Sequence, residues 1–149
     1  MDLRKEIKIM SKIAVVYWSG TGNTEAMANA VADGAKAAGA EVAMFTASEF
    51  SASQVAEFDA IAFGCPAMGA EVLEEFEFEP MFADCEAVLA GKKVGIFGSY
   101  GWGDGTWMHE WEDRCKAGNM ELVADGVMCN DAPDAEAVAN CEALGKALV

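Results

Sequence analysis

The run Ile13-Ala14-Val15-Val16-Tyr17-Trp18 is apolar at every position and of strand length. It leads without a linker into Ser19-Gly20-Thr21-Gly22-Asn23-Thr24 and then into the alanine-rich stretch Glu25-Ala26-Met27-Ala28. A strand with no polar side has to be covered on both faces, which is the situation of a parallel sheet sandwiched between helices. The pattern recurs down the chain. Glu41–Phe45, Asp59–Gly64 and Lys93–Gly98 read as further strands, and Glu121-Leu122-Val123 to Val127-Met128 as a fifth, with Gly126 as a point of interruption. Apolar positions at helical spacing follow the first loop until Gly39, and helical stretches are predicted near Pro80–Leu89, Thr106–Ala117 and Asp134–Leu148. Ser51–Phe58 reads as short helix or irregular chain. Strands alternating with helices, joined by right-handed crossovers, predict an α/β doubly wound sheet with helices on both faces.

The hexapeptide Ser19–Thr24 carries the first functional signal. Its two glycines allow a sharp turn and close approach to a ligand, and the helix that follows presents unpaired N–H groups at the positive end of its dipole. Three hydroxyls (Ser19, Thr21, Thr24) and the Asn23 amide supply side-chain hydrogen bonds, so a phosphate can be held without a cation. A nucleoside-triphosphatase loop needs a Lys-Ser or Lys-Thr pair after its glycines, and a dinucleotide fingerprint needs a third glycine where Glu25 stands. What remains is a nest for one terminal phosphate monoester, such as that of FMN, or a plain Gly-Thr turn with helix-capping hydroxyls. The loops at 19–24, 64–71 and 98–105 all follow strand ends, so they are expected to meet at one rim of the sheet, where ligands of such folds bind.

A length of 149 residues suits one domain, large enough to bury roughly two-thirds of its unfolded surface. Residues 1–11 read as an N-terminal tail or a start-site extension, since Met10 offers a second start, and 12–149 as the ligand-binding domain. Five cysteines with no Cys-x-x-Cys spacing point away from a disulfide framework or a metal site and toward a reducing cytoplasm. No apolar run reaches the length of a membrane span.

Tyr17-Trp18-Ser19-Gly20-Thr21-Gly22-Asn23-Thr24, Gly64-Cys65-Pro66-Ala67-Met68-Gly69 and Gly98-Ser99-Tyr100-Gly101-Trp102-Gly103-Asp104-Gly105 together resemble the three FMN loops of short-chain flavodoxins. The resemblance covers nearly everything from Lys12 onward. It implies a flavodoxin-like five-stranded sheet in the order 2-1-3-4-5, with FMN as the cofactor. It places Ser19, Gly20, Thr21, Gly22, Asn23 and Thr24 on the phosphate. It places Pro66, Ala67, Met68, Gly69 and Glu71, with Ser99, Tyr100, Gly101, Trp102, Gly103 and Asp104, around the flavin. Met68 and Trp102 would flank the two faces of the ring, a use that suits a polarisable thioether and an indole. The Gly69 peptide is similar to one that flips on reduction to turn its carbonyl toward flavin N5, and Glu71 matches a carboxylate that accepts a hydrogen bond from N3–H. Ala70 stands where relatives carry Asp, Asn or Ser, which bears on the redox potentials. Asn130, after the fifth strand, is carried over as a contact to the ribityl chain.

The formal net charge is −15, from 25 acidic against 10 basic residues, and Glu71, Glu74, Glu75, Glu77, Glu79 and Asp104 lie in or beside the flavin loops. Such a face is either merely solvated or functional. As a functional feature it disfavours an added negative charge on the flavin, keeps the final electron strongly reducing, and steers basic faces of redox partner proteins. Nucleic acid would be repelled. The expected function is a low-potential single-electron carrier, monomeric and not an enzyme; the alternative is an FMN-dependent quinone or nitro reductase. A phosphoacceptor receiver domain is set aside because Tyr17-Trp18 and Gly64-Cys65 stand where its acidic residues are needed. His109 and Cys65 need no redox or catalytic role.

Overall fold

The computed structural model describes residues 11–69 and 71–149, so Ala70 and all of the expected tail except Ser11 lie outside the described residues. The strands are β1 (Lys12–Tyr17), β2 (Glu41–Thr46), β3 (Ala60–Gly64), β4 (Lys93–Tyr100), β5 (Glu121–Leu122) and β6 (Val127–Asn130). The α-helices are α1 (Asn23–Ala37), α2 (Phe78–Glu86), α3 (Thr106–Ala117) and α4 (Ala135–Leu148). All strand pairs are parallel and run β2-β1-β3-β4, with β5 and β6 both paired to β4. This is the 2-1-3-4-5 order, its fifth strand in two pieces. β5 pairs with Lys93 and Val94 at the start of β4, and β6 with Phe97 to Tyr100 at its end. Between them the chain leaves the ladder because the Gly126 N–H donates to Glu112 Oε2 on α3 (2.7 Å), and Gly126 lies so close to Met108 and Ile96 that a side chain would not fit.

Side chains alternate along β1 as a strand requires. Ala14 and Val16 join Ile61, Phe63, Val94 and Ile96 on one face, while Ile13 and Val15 join Ala60, Ala62 and Phe97 on the other. The first face is covered by α2 and α3 through Phe78, Phe82, Trp107 and Trp111. Phe63 meets Phe82 edge-on at 5.1 Å, a geometry that adds about 0.5–1.5 kcal/mol beyond area burial. The second face is covered by α1 and α4, which cross closely at Gly34 and Gly145: a methyl on either would collide with the backbone of the other helix.

Ala52–Glu57 forms a 3-10 helix, in agreement with the short helix or irregular chain expected over Ser51–Phe58. The helix expected from Pro80 begins two residues earlier, at Phe78, and ends at Glu86. Pro80 sits in its first turn, where the missing N–H costs nothing.

Candidate functional site

Four strands, β1, β3, β4 and β6, end at one rim, and the loops that leave them form a cleft of about 210 Å³. Ser19, Gly20, Thr21, Asn23 and Thr24 form one wall. Pro66, Ala67 and Met68 come from the loop after β3, and Ser99, Tyr100 and Gly101 from the end of β4. Trp18 and Asp131 complete the lining.

The first wall is organised as an anion nest. Gly22 caps α1 from the left-handed region (φ +97°). Ser19 Oγ accepts the N–H groups of Gly22 (3.1 Å) and Glu25 (3.3 Å), and Thr21 Oγ1 accepts that of Asn23 (3.4 Å). Ser19 and Thr21 therefore do act as helix-capping hydroxyls. Capping is incomplete, however: among the described residues the N–H groups of Gly20, Thr21 and Thr24 have no protein acceptor. Thr24 is buried and ties this loop to the end of β4. Its Oγ1 accepts the Ser99 N–H (3.4 Å) and pairs with the Ser99 hydroxyl (3.1 Å). Two hydroxyls sharing one hydrogen bond leave one hydroxyl hydrogen to donate elsewhere. The donors gathered here, all neutral and with no Lys or Arg in the lining, suit a phosphate monoester.

Backbone bonds fix the other loops against each other. The Cys65 N–H donates to Phe97 O (3.0 Å), the Ala67 N–H to Ser99 O (3.1 Å), and the buried Trp107 Nε1–H to Cys65 O (3.2 Å). Gly98 has to be glycine, because a Cβ there would overlap the Cys65 carbonyl. Met68 and Val72 exchange two backbone hydrogen bonds (2.8 and 2.9 Å), closing a three-residue loop in which Gly69 (φ +50°) and Glu71 (φ +56°) are both left-handed. Burial pushes the Cys65 thiol far up, outweighing the hydrogen bond its sulfur accepts from the Glu74 N–H, so it stays protonated and unreactive.

Gly22, Gly69, Glu71, Trp102, Gly103, Asp104 and Asn130 do not line the cleft. Trp102 is 62% exposed beside it, and Met68, which does line it, is 36% exposed. The Glu71 carboxylate packs against Gly103 and accepts the Asp104 N–H (3.2 Å), clasping the second loop to the third. Asp104 caps α3 by accepting from the Thr106 hydroxyl and N–H, which hold its carboxyl below the usual value. Asn130 ends β6 exposed, and the next residue, Asp131 (φ +57°), reaches the cleft instead. Asp131 and Trp18 were not singled out from sequence. The available signals were an Asn-Asp pair at a strand end, where a left-handed turn is well tolerated, and an indole abutting the first loop.

The acidic band is less uniform than its sequence suggests. Glu74 is buried and spends its carboxylate on backbone N–H groups, and Glu79 is paired with Arg114 (2.7 Å). Glu75, Glu77 and Asp104 are the exposed members.

A doubly wound parallel sheet with a cluster of neutral N–H and hydroxyl donors beside an apolar loop at its rim is the architecture of a binder of a phosphorylated cofactor. The family model for flavodoxin matches residues 15–145, and the chain belongs to the flavodoxin family. It is similar to the flavodoxin of Megasphaera elsdenii, 46% identical over 91% of this chain and 96% of that one, and to that of Clostridium beijerinckii, 43% identical over 89% and 95%. The solution structure of two-electron reduced M. elsdenii flavodoxin superposes with a TM-score of 0.85, covering 91% of this chain and 97% of the other. The protein is an FMN-binding electron carrier that passes electrons to redox partner proteins, and the reductase alternative is not favoured. Among the described residues no helix is long and apolar enough to cross a membrane.

Proposed function

We propose that residues 12–149 act as a low-potential single-electron carrier, monomeric and cytoplasmic, serving partners with basic docking faces. The convergence of three loops on one cleft, with neutral donors on one wall and Met68 on the other, is the observation that carries this reading. The N–H groups of Gly20, Thr21 and Thr24, with the spare hydroxyl hydrogen of the Thr24–Ser99 pair, hold the phosphate. The cleft is smaller than the roughly 300–1,000 Å³ of typical small-molecule sites, so a ligand the size of FMN extends beyond it, over Met68 and toward Trp102. Those two side chains cover the ring faces and exclude water. Bound FMN supplies reversible one-electron chemistry. Gly69 lets its peptide turn without a side-chain penalty, and the Glu71 carboxylate, one oxygen of which accepts the Asp104 N–H, would have its other oxygen for the ring N3–H. Exposed Glu75, Glu77 and Asp104 keep the potential around the ring negative, which disfavours its most reduced, anionic form.

Purified protein incubated with FMN is expected to be yellow after desalting and to release FMN on denaturation. With NAD(P)H and a quinone it should show no sustained turnover unless a reductase is added. Protein that stays colourless refutes the site, and turnover without a reductase refutes the carrier role.

A further inference from the structure

Phe76 is 81% exposed, more than any other large hydrophobic side chain among the described residues. A lone exposed phenylalanine calls for no explanation. This one is held outward by a buried charge. The Glu74 carboxylate, on a residue only 4% exposed, accepts the N–H groups of Phe76 (2.8 Å), Glu77 (2.7 Å) and Phe78 (2.8 Å). Its carbonyl accepts the Glu79 N–H (2.9 Å), and its own N–H donates to Cys65 Sγ (3.3 Å). Phe78, two residues on, is fully buried against Phe82 and Trp111. With the turn pinned from below and Phe78 committed to the core, the Phe76 ring points to solvent. The same turn also touches the cofactor cleft, because Glu77 Oε1 accepts the indole N–H of Trp18 (3.2 Å), which lines it.

We infer that Phe76 is an apolar anchor for a docked redox protein, seated in an apolar patch that the partner rings with Lys or Arg. This inference rests on the electron-carrier reading above. A side chain whose backbone is already fixed loses little conformational freedom on docking, and an aromatic centre with a charged rim is the arrangement in which a few residues dominate binding. Exposed Glu75 and Glu77 supply that rim. The charge selects the occupant. A second copy, itself at −15, would set Glu75 and Glu77 against their own images, whereas a basic partner neutralises them.

The test is stopped-flow electron transfer from the reduced, FMN-loaded protein to ferricytochrome c, a small basic acceptor whose apolar haem edge is ringed by lysines. Phe76→Ser is expected to raise the half-saturating concentration about tenfold, and Phe76→Leu to restore most of the loss. Phe76→Ser should keep the wild-type dependence of rate on ionic strength, which Glu75→Gln should flatten. FMN affinity and reduction by dithionite should be unchanged in both Phe76 variants. A half-saturating concentration for Phe76→Ser within twofold of wild type overturns the anchor. So does a wild type that is reduced by dithionite yet transfers nothing to ferricytochrome c. A wild type that binds no FMN instead fails the carrier reading itself.

Discussion

Replacing Glu74 by Gln tests whether one buried carboxylate sets the geometry of the turn that leads into α2. In the wild type, one carboxylate oxygen accepts the N–H groups of Glu77 and Phe78 and the other accepts that of Phe76, all at 2.7–2.8 Å. Such short, charge-assisted bonds contribute about 1.5–3 kcal/mol each. Glutamine keeps one acceptor oxygen for Glu77 and Phe78 but turns an NH2 group toward the Phe76 N–H, so two donors face each other. One bond is lost outright and two lose about half their strength, about 3–6 kcal/mol in all; relief of the buried charge's desolvation brings the net destabilisation to about 2–4 kcal/mol against a total of about 5–15. Urea denaturation of the two proteins at pH 7 measures it. The pH dependence supplies an independent sign. Burial alone would raise the Glu74 carboxyl, but the N–H donors of Phe78, Glu77 and Phe76 outweigh it and hold it below the ordinary glutamate value. A depressed folded-state pKa gives stability that is complete above the unfolded value, near 4.3, and is lost as pH falls through the folded value. Glutamine does not titrate, so the gap between wild type and variant should close in acid. A gap below about 0.5 kcal/mol at pH 7, or one that persists unchanged into acid, refutes the reasoning.

Trp102→Ala should weaken FMN binding by about 1–3 kcal/mol, roughly five- to 150-fold, by analogy with aromatic stacking on a nucleobase. Because Trp102 is 62% exposed, stability without FMN should change by less than about 0.5 kcal/mol; an unchanged dissociation constant removes Trp102 from the site. Gly69 lies at φ +50° with open space where a Cβ would be, so Gly69→Ala adds backbone strain of about 1 kcal/mol and no clash. If that strain falls on the reduced member of the first one-electron couple, it moves the potential negative by roughly 40 mV. Spectroelectrochemical titration resolves the couple, and equal potentials in the two proteins end the switch role.

The sheet was legible because β1 and β3 are apolar on both sides, and continuous apolar strands admit few other arrangements. The loops were legible because glycine and hydroxyl residues at a strand-to-helix junction serve few other chemistries. What could not be read was which side chains pack inward. Glu74 and Glu75 are neighbours with the same side chain, yet one is buried against three N–H groups and the other is exposed. The interruption of the fifth strand at Gly126 was legible as a glycine within an apolar run; its partner, the Glu112 carboxylate of α3 that accepts the Gly126 N–H, was not.

The bonds that hold the rim also divide it into two parts. Thr24 to Ser99, Trp107 to Cys65, Cys65 to Phe97 and Ala67 to Ser99 tie the deep part of three loops together, using only protein groups. Those bonds need no ligand to complete them, so on the proposed reading a phosphate would spend little of its binding energy on ordering its donors. The outer part is held differently. Met68 and Trp102 are exposed, Gly69 is free of side-chain constraint, and Glu71 is bound to Asp104 by one exposed hydrogen bond that a competing donor can replace at small net cost. On the reading proposed above, a rigid phosphate end and an adaptable ring end would give affinity to the first and redox tuning to the second. Substitutions in the Thr24–Ser99 tie should therefore act mainly on FMN affinity in every redox state, and those at Gly69 or Glu71 mainly on the difference between states.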